Sequence, residues 1–308
     1  MRAIVLQDLS TPPRLTDVAT PTPGPGEVLV RVKASSINGF DAAVAAGWLE
    51  SIIEHRFPVV MGKDFAGTVE ETGEAATRFA VGDAVFGVVM KPYVGDGGLG
   101  EYVAVSEQYG IAGVPEGLDL HAAGALGLAG TTALDMLEAI APAAGKYVFI
   151  SGATGGVGAI ALQYAASAGA RVIGTARPGE ATEFVQELGA EHVVDYTTDL
   201  DALDAQVRAL APDGVHAIVH LAGDARHLAS LLATGGRVFS ALAFGADQHP
   251  AVTAVNANPT PDTLARLATD AVTGRLRVPI TRTYTLDQAP QALSDFTNGK
   301  LGKLAITI

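Results

Sequence analysis

Along the first part of the chain, short apolar runs are separated by glycine, proline and charged positions. The run Glu27-Val28-Leu29-Val30-Arg31-Val32 alternates with a period near two and follows the cluster Pro21, Pro23, Gly24, Pro25 and Gly26. Such a run behind turn residues predicts a strand. Segments 67–70, 82–86 and 102–105 repeat the theme, and the glycines between them predict a small β-barrel or sandwich. From about Leu120 the pattern changes. A helix is predicted from Leu120 through Leu134 and Ala139, and 141–145 links it to a strand at 147–151. Helices at 157–167, 181–188, 200–210 and 225–233 then alternate with strands at 171–174, 192–196, 215–221 and 237–242, with Gly169 and Gly189 closing the first two helices. This β-α-β order predicts a parallel sheet with helices on both faces. After a helix at 263–272, strands at 280–285 and 304–308, with a helix starting at Asp287, return to the first domain. The expected division is 1–119 with 280–308, against 120–279.

Composition narrows the chemistry. The 308 residues include no cysteine, so there is no disulfide, thiolate nucleophile or cysteine-ligated zinc. Twenty basic against 33 acidic residues leave a net charge of −13. That balance argues against nucleic acid or an anionic membrane as the main partner, because a phosphate backbone needs a basic face. It leaves room for one small anionic ligand in a local cradle. No apolar stretch is long enough to span a membrane and the N-terminus lacks a signal-peptide pattern, so the cytoplasm is the expected location.

The cradle is the segment Val148-Phe149-Ile150-Ser151-Gly152-Ala153-Thr154-Gly155-Gly156-Val157-Gly158, between a predicted strand and helix. Small residues there let the backbone approach a pyrophosphate, whose charge a helix N-terminus favours. Ala153 stands at the first glycine of G-x-G-x-x-G, with Gly155 and Gly158 in register. The alternative is a glycine-rich turn that only permits close packing. At the end of the next strand, Thr175-Ala176-Arg177 puts alanine where NAD sites place an acid, and arginine next to it. A guanidinium pairs with a 2′-phosphate that a carboxylate would repel, so NADPH is the expected cofactor. Arg177 at a helix entry is otherwise an ordinary solvated residue. Tyr196 ends the following strand and either flanks the same phosphate or is a half-buried strand tyrosine.

Four further segments join the cradle to complete the pattern: Ala34-Ser35-Ser36-Ile37-Asn38-Gly39-Phe40-Asp41, Pro58-Val59-Val60-Met61-Gly62-Lys63-Asp64-Phe65-Ala66-Gly67, Val81–Gly87 and Leu128–Ala133. With them the chain resembles the zinc-independent quinone oxidoreductase (zeta-crystallin-like) branch of the medium-chain dehydrogenase/reductase superfamily, over essentially its whole length. The resemblance implies an α/β fold, a Rossmann doubly wound parallel sheet plus a GroES-like β-barrel domain. It implies hydride transfer from NADPH to a quinone or an α,β-unsaturated carbonyl, and a homodimer. Residue by residue, it places Asn38 and Thr132 toward the nicotinamide, and Gly155, Gly156 and Val157 at the pyrophosphate. Arg177 and Tyr196 fall at the 2′-phosphate end with Thr175 beside them, and Leu221, Ala222, Ala241 and Phe244 at strand ends lining the cofactor.

In zinc alcohol dehydrogenases of the superfamily, a Cys and a His bind catalytic zinc at the positions matching Asn38 and Lys63. An amide is a poor zinc ligand and an ammonium none, and the seven histidines lack paired spacing, so no metal is expected. Lys63 is the candidate catalytic residue, polarising a carbonyl or donating a proton if burial lowers its pKa. The alternative is a Lys63–Asp64 pair bracing the domain junction. Asp41 reads as a loop anchor, and His220 as either a proton donor or a satisfied structural histidine. Tyr93 and Trp48 are candidates to line a substrate pocket. Two other functions remain open: an enoyl-thioester reductase, and a non-catalytic NADPH-binding structural or regulatory protein.

Overall fold

The computed structural model describes residues 1–242 and 249–308. The chain divides into two units, Met1–Thr131 with Pro259–Ile308, and Thr132–Asn258. The expected boundaries at 120 and 280 differ from this division. Residues 120–131 and 259–279 pack with the first unit: a Cβ on Gly124 would lie 2.8 Å from the Ala34 carbonyl carbon, and one on Gly130 would lie 2.9 Å from Leu267.

In chain order the first unit contains β1 (Arg2–Leu6), β2 (Arg14–Asp17), β3 (Glu27–Ile37), α1 (Gly39–Ala45), β4 (Val59–Val60) and β5 (Asp64–Thr72). It continues with β6 (Ala84–Val88), β7 (Tyr102–Ser106), β8 (Ile111–Gly113), α2 (Leu120–Gly124) and the start of α3 (Gly127–Ile140). β3 carries the predicted alternation, burying Val30 and Val32 while Arg31 and Lys33 face out. Its eleven residues take two partners in succession along one side and β5 along the other, with two register shifts against β5. Such shifts bend a strand and raise its twist. Val28, Val30, Val32, Phe65, Val69, Val85, Val103 and Ile111 fill the resulting core, each buried side chain of this kind contributing about 1.5–3 kcal/mol.

The predicted single helix from Leu120 is two helices, α2 and α3. The break lets the first turn of α3 give the Leu128 N–H to the buried Asp64 carboxylate at 2.7 Å. That interaction is invisible to helical periodicity.

The second unit contains β9 (Tyr147–Ser151), α4 (Gly156–Ser167), β10 (Arg171–Ala176), α5 (Glu180–Glu187), β11 (His192–Asp195), α6 (Leu200–Leu210), β12 (Val215–His220), α7 (Ala225–Ala229), β13 (Leu232–Ser240) and β14 (Val252–Ala254). All pairings are parallel and the order is β11-β10-β9-β12-β13-β14. Numbered within the unit this is 3-2-1-4-5-6, the doubly wound dinucleotide-binding order. Helix α7 stops before the predicted 233 because β13 begins at Leu232, five residues ahead of expectation, and takes Gly235 and Gly236 into an irregular stretch of pairing. The edge strand β14 carried no sequence signal.

The chain returns through α8 (Pro261–Val272), β15 (Ile280–Thr285), α9 (Ala289–Thr297) and β16 (Lys303–Thr307). β16 pairs antiparallel with β3, so the last strands rejoin the first unit. Among the described residues no helix is long and apolar enough to cross a membrane.

Candidate active site

In the second unit the cradle is built by β9, α4 and the turn between them. Gly152 takes φ +77°, in the left-handed region that glycine favours. Its N–H donates to the Thr175 hydroxyl at 2.9 Å, and its carbonyl accepts the Gly155 N–H at 3.0 Å. A Cβ on Gly158 would lie 2.2 Å from the Gly152 oxygen, so helix and turn meet backbone to backbone. Ala153, at the first glycine of the motif, is fully buried, and Gly174 leaves room for its methyl: a Cβ there would stand 3.1 Å from it.

Helix α4 is capped by Gly155, which has no side chain to accept its first amides. The N–H groups at a helix start have no intrahelical acceptor and lie at its positive end. A pyrophosphate fits this arrangement at Gly155, Gly156 and Val157. Leu221 and Ala222, just past β12, close on the same turn: a Cβ on Gly152 would lie 3.1 Å and 3.4 Å from their Cβ atoms. The sequence-predicted cradle residues are thus brought together, with one refinement. The Thr175 side chain is buried and its hydroxyl braces the Gly152 turn.

Ala176, the last residue of β10, is buried, and Arg177 just past it is exposed, its Nε donating to the Tyr196 hydroxyl at 3.0 Å. The two residues expected at the 2′-phosphate end are therefore joined. His220 is sealed, with Nδ1 against the Ser240 hydroxyl at 2.8 Å and Nε2 against the Gly223 carbonyl at 3.0 Å. It reads as a satisfied structural histidine. The Ala241 N–H donates to the His220 carbonyl at 3.3 Å, and Thr132 is buried in α3. Phe244 lies outside the described residues.

In the first unit the end of β3, α1 and β5 converge with β16 on a buried polar cluster. Asp64 Oδ2 accepts from the Ser36 hydroxyl at 2.5 Å, Asn38 Nδ2 at 2.8 Å and Lys303 Nζ at 3.3 Å. Lys303 also donates to Asn38 Oδ1 at 2.6 Å. Asp41 anchors its loop, accepting the Asn38 N–H at 2.8 Å. Burial, with a smaller push from Asp64, raises its carboxyl to about 7 against the opposing pull of that N–H, Lys303 and Lys63.

Lys63 does not brace Asp64. Its ammonium donates to the Val89 carbonyl at 2.7 Å and lies 4.7 Å from the Phe40 ring centre, while Asp64 pairs with Lys303. Burial lowers its pKa and Asp41 opposes that shift. Lys63, Asp41, Phe40 and Tyr93 line a cavity of about 10 Å³, room for about one water. Trp48 is 74% exposed and is not among its lining residues. Sequence reasoning missed Lys303, whose one signal was a lysine opening the apolar run Leu304-Ala305-Ile306.

The donor chemistry does not fit a catalytic zinc at Asn38 and Lys63. One is an amide engaged at both ends, with an ammonium on its oxygen, and the other is an ammonium against a carbonyl. Among the described residues no group of three or more His, Asp or Glu is placed to hold a metal ion.

This combination of a glycine-built cradle on a 3-2-1-4-5-6 sheet and a separate, mainly antiparallel unit defines the dinucleotide-dependent dehydrogenase class. Residues 24–116 match the alcohol dehydrogenase GroES-like domain family, and residues 156–266 match the family described as zinc-binding dehydrogenase. The quinone oxidoreductase of Lama guanicoe is 31% identical over 244 residues, covering 77% of this chain and 72% of its own. A mycocerosic acid synthase-like polyketide synthase of Mycolicibacterium smegmatis is 37% identical over 220 residues, 70% of this chain, which spans only 10% of that relative. Among solved structures, the quinone oxidoreductase from Coxiella burnetii superposes with a TM-score of 0.88 at 27% identity, covering 100% and 99% of the two chains. A mycobacterial protein complexed with NADPH gives 0.88 at 25% identity, covering 100% of both. The chain belongs to the medium-chain dehydrogenase/reductase superfamily of oxidoreductases, in its quinone oxidoreductase branch.

Proposed function

We propose that the protein is an NADPH-dependent reductase of quinones or α,β-unsaturated carbonyls that works without a metal. The observation carrying the cofactor choice is Arg177 joined to Tyr196 beside Ala176, where an NAD site would carry an acid. The NADPH complex of a solved relative supports the same choice. When bound, NADPH supplies the hydride. The chain's own part is to hold the pyrophosphate on the Gly155, Gly156 and Val157 amides and to pair Arg177 with the 2′-phosphate. Lys63, its pKa lowered by burial, holds the proton that the product anion takes up. The expected context is a small-molecule substrate, no nucleic-acid or membrane partner, a cytoplasmic location and a homodimer.

The test is NADPH oxidation across a panel of quinones, enones and enoyl-thioesters, with NADPH and NADH titrated separately. Turnover of a quinone or enone, and at least tenfold tighter binding of NADPH than NADH, is expected; equal affinities would sink the cofactor assignment. The resemblance to a segment of a polyketide synthase favours a second reading, an enoyl-thioester reductase. Turnover confined to thioesters would select it. Tight NADPH binding with no turnover would select a structural or regulatory role.

A further inference from the structure

We propose that Lys303 is a positioning residue for this reaction, its buried ammonium clamping the Asn38 amide, together with Asp64, in a single orientation. The register of β16 on β3 pairs Leu304 with Ile37, and the next step brings Lys303 opposite Asn38. The Lys303 side chain is 2% exposed and that of Asp64 is 0% exposed. Burying two charges is costly, and well-packed apolar residues in their place are often as stable or more so. Charge balance alone therefore does not account for the arrangement.

The geometry points to what the pair does. The shortest contact of the ammonium is to Asn38 Oδ1 at 2.6 Å, not to the Asp64 carboxylate at 3.3 Å. The other end of the same amide, Nδ2, donates to Asp64 at 2.8 Å. An amide has one accepting and one donating end. Rotating it by half a turn would set the amide nitrogen against the ammonium and the amide oxygen against the carboxylate, turning two charge-assisted hydrogen bonds into two repulsions. Asp64 is itself held by the Ser36 hydroxyl and, through Oδ1, by the Leu128 N–H at 2.7 Å, so the clamp has little freedom to follow a rotating amide. Asn38 is the residue that the resemblance places toward the nicotinamide, so the role of the clamp in turnover rests on the functional reading above. The clamp itself does not.

Two measurements on the full-length protein test it. The first needs no substrate. The Asn38 side-chain NH2 resonances, identified by their loss in Asn38→Ala, are followed by hydrogen exchange in wild type and Lys303→Met. Exchange at least tenfold faster in Lys303→Met, partly reversed in Lys303→Arg, is expected; unchanged protection overturns the clamp. The second is a double-mutant cycle in kcat at saturating NADPH. Lys303→Met and Asn38→Ala should each lower kcat about tenfold or more, and the double variant should be no slower than the slower single one. Effects that multiply overturn the positioning role, whereas a purely structural lysine would lower stability without this non-additivity. If Lys303→Met does not fold, Lys303→Met with Asp64→Asn removes both charges and carries the same two readouts against Asp64→Asn. A wild type that turns over nothing sinks the functional reading and the positioning role with it, while amide exchange separately upholds or overturns the clamp.

Discussion

The two units make their polar chemistry from different materials. In the first, five buried side chains, Ser36, Asn38, Asp41, Asp64 and Lys303, meet around two carboxylates and an ammonium. In the second, the cradle is backbone: an amide held by Thr175, a helix start capped by a glycine, and a glycine whose added methyl would stand 2.2 Å from a backbone oxygen. A side-chain cluster in low dielectric responds to changes of charge, because an unpaired ion cannot be rehydrated. A backbone cradle responds to changes of volume, because main chain cannot step aside as a side-chain tip can. The difference teaches which kind of substitution each unit notices.

The sharpest way to break the comparison is at Asp64. Asp64→Ala leaves the Lys303 ammonium buried without its carboxylate and should cost about 3–5 kcal/mol in urea unfolding; a loss below about 1 kcal/mol would mean that water reaches the cluster. Next is Gly158→Val, which forces backbone apart and should cost about 3 kcal/mol while changing no charge. If it is tolerated and NADPH still binds, the cradle is not volume-limited. The pH dependence separates the units further. Asp41 is raised by burial to about 7 from an ordinary value of 3.8, so the folded state binds its proton more tightly than the unfolded state. Its contribution to stability therefore falls as pH rises from about 4 to about 7 and is constant above. Asp41→Asn should remove that slope, so its unfolding midpoint gains on wild type across this window; parallel curves would show the carboxyl to be solvated. The smallest effect belongs to the exposed Arg177, where Arg177→Ala should leave stability unchanged and weaken NADPH about tenfold while sparing NADH. A uniform loss with both cofactors would point to misfolding.

The cradle was legible because it is local. Residues 148–158 follow one another, and their glycines announce a tight turn wherever the chain goes. Even the departure at Ala153 resolves within the unit, through the space left by Gly174. The alternative of a Lys63–Asp64 pair fails for an equally local reason. Neighbours at the start of a strand point to opposite faces, and only Asp64 turns inward to the cluster.

By itself the sequence determined the sequence-local features: the strand and helix periodicities, the glycine turn and the arginine in place of an acid. Each depends on residues a few positions apart, where backbone stereochemistry dictates geometry. Only the tertiary structure decided the first unit's chemistry. Lys303 meets Asp64 across 239 positions and Asn38 across 265. No spacing encodes such a meeting, because it depends on β16 returning to β3 and sealing the ammonium from water.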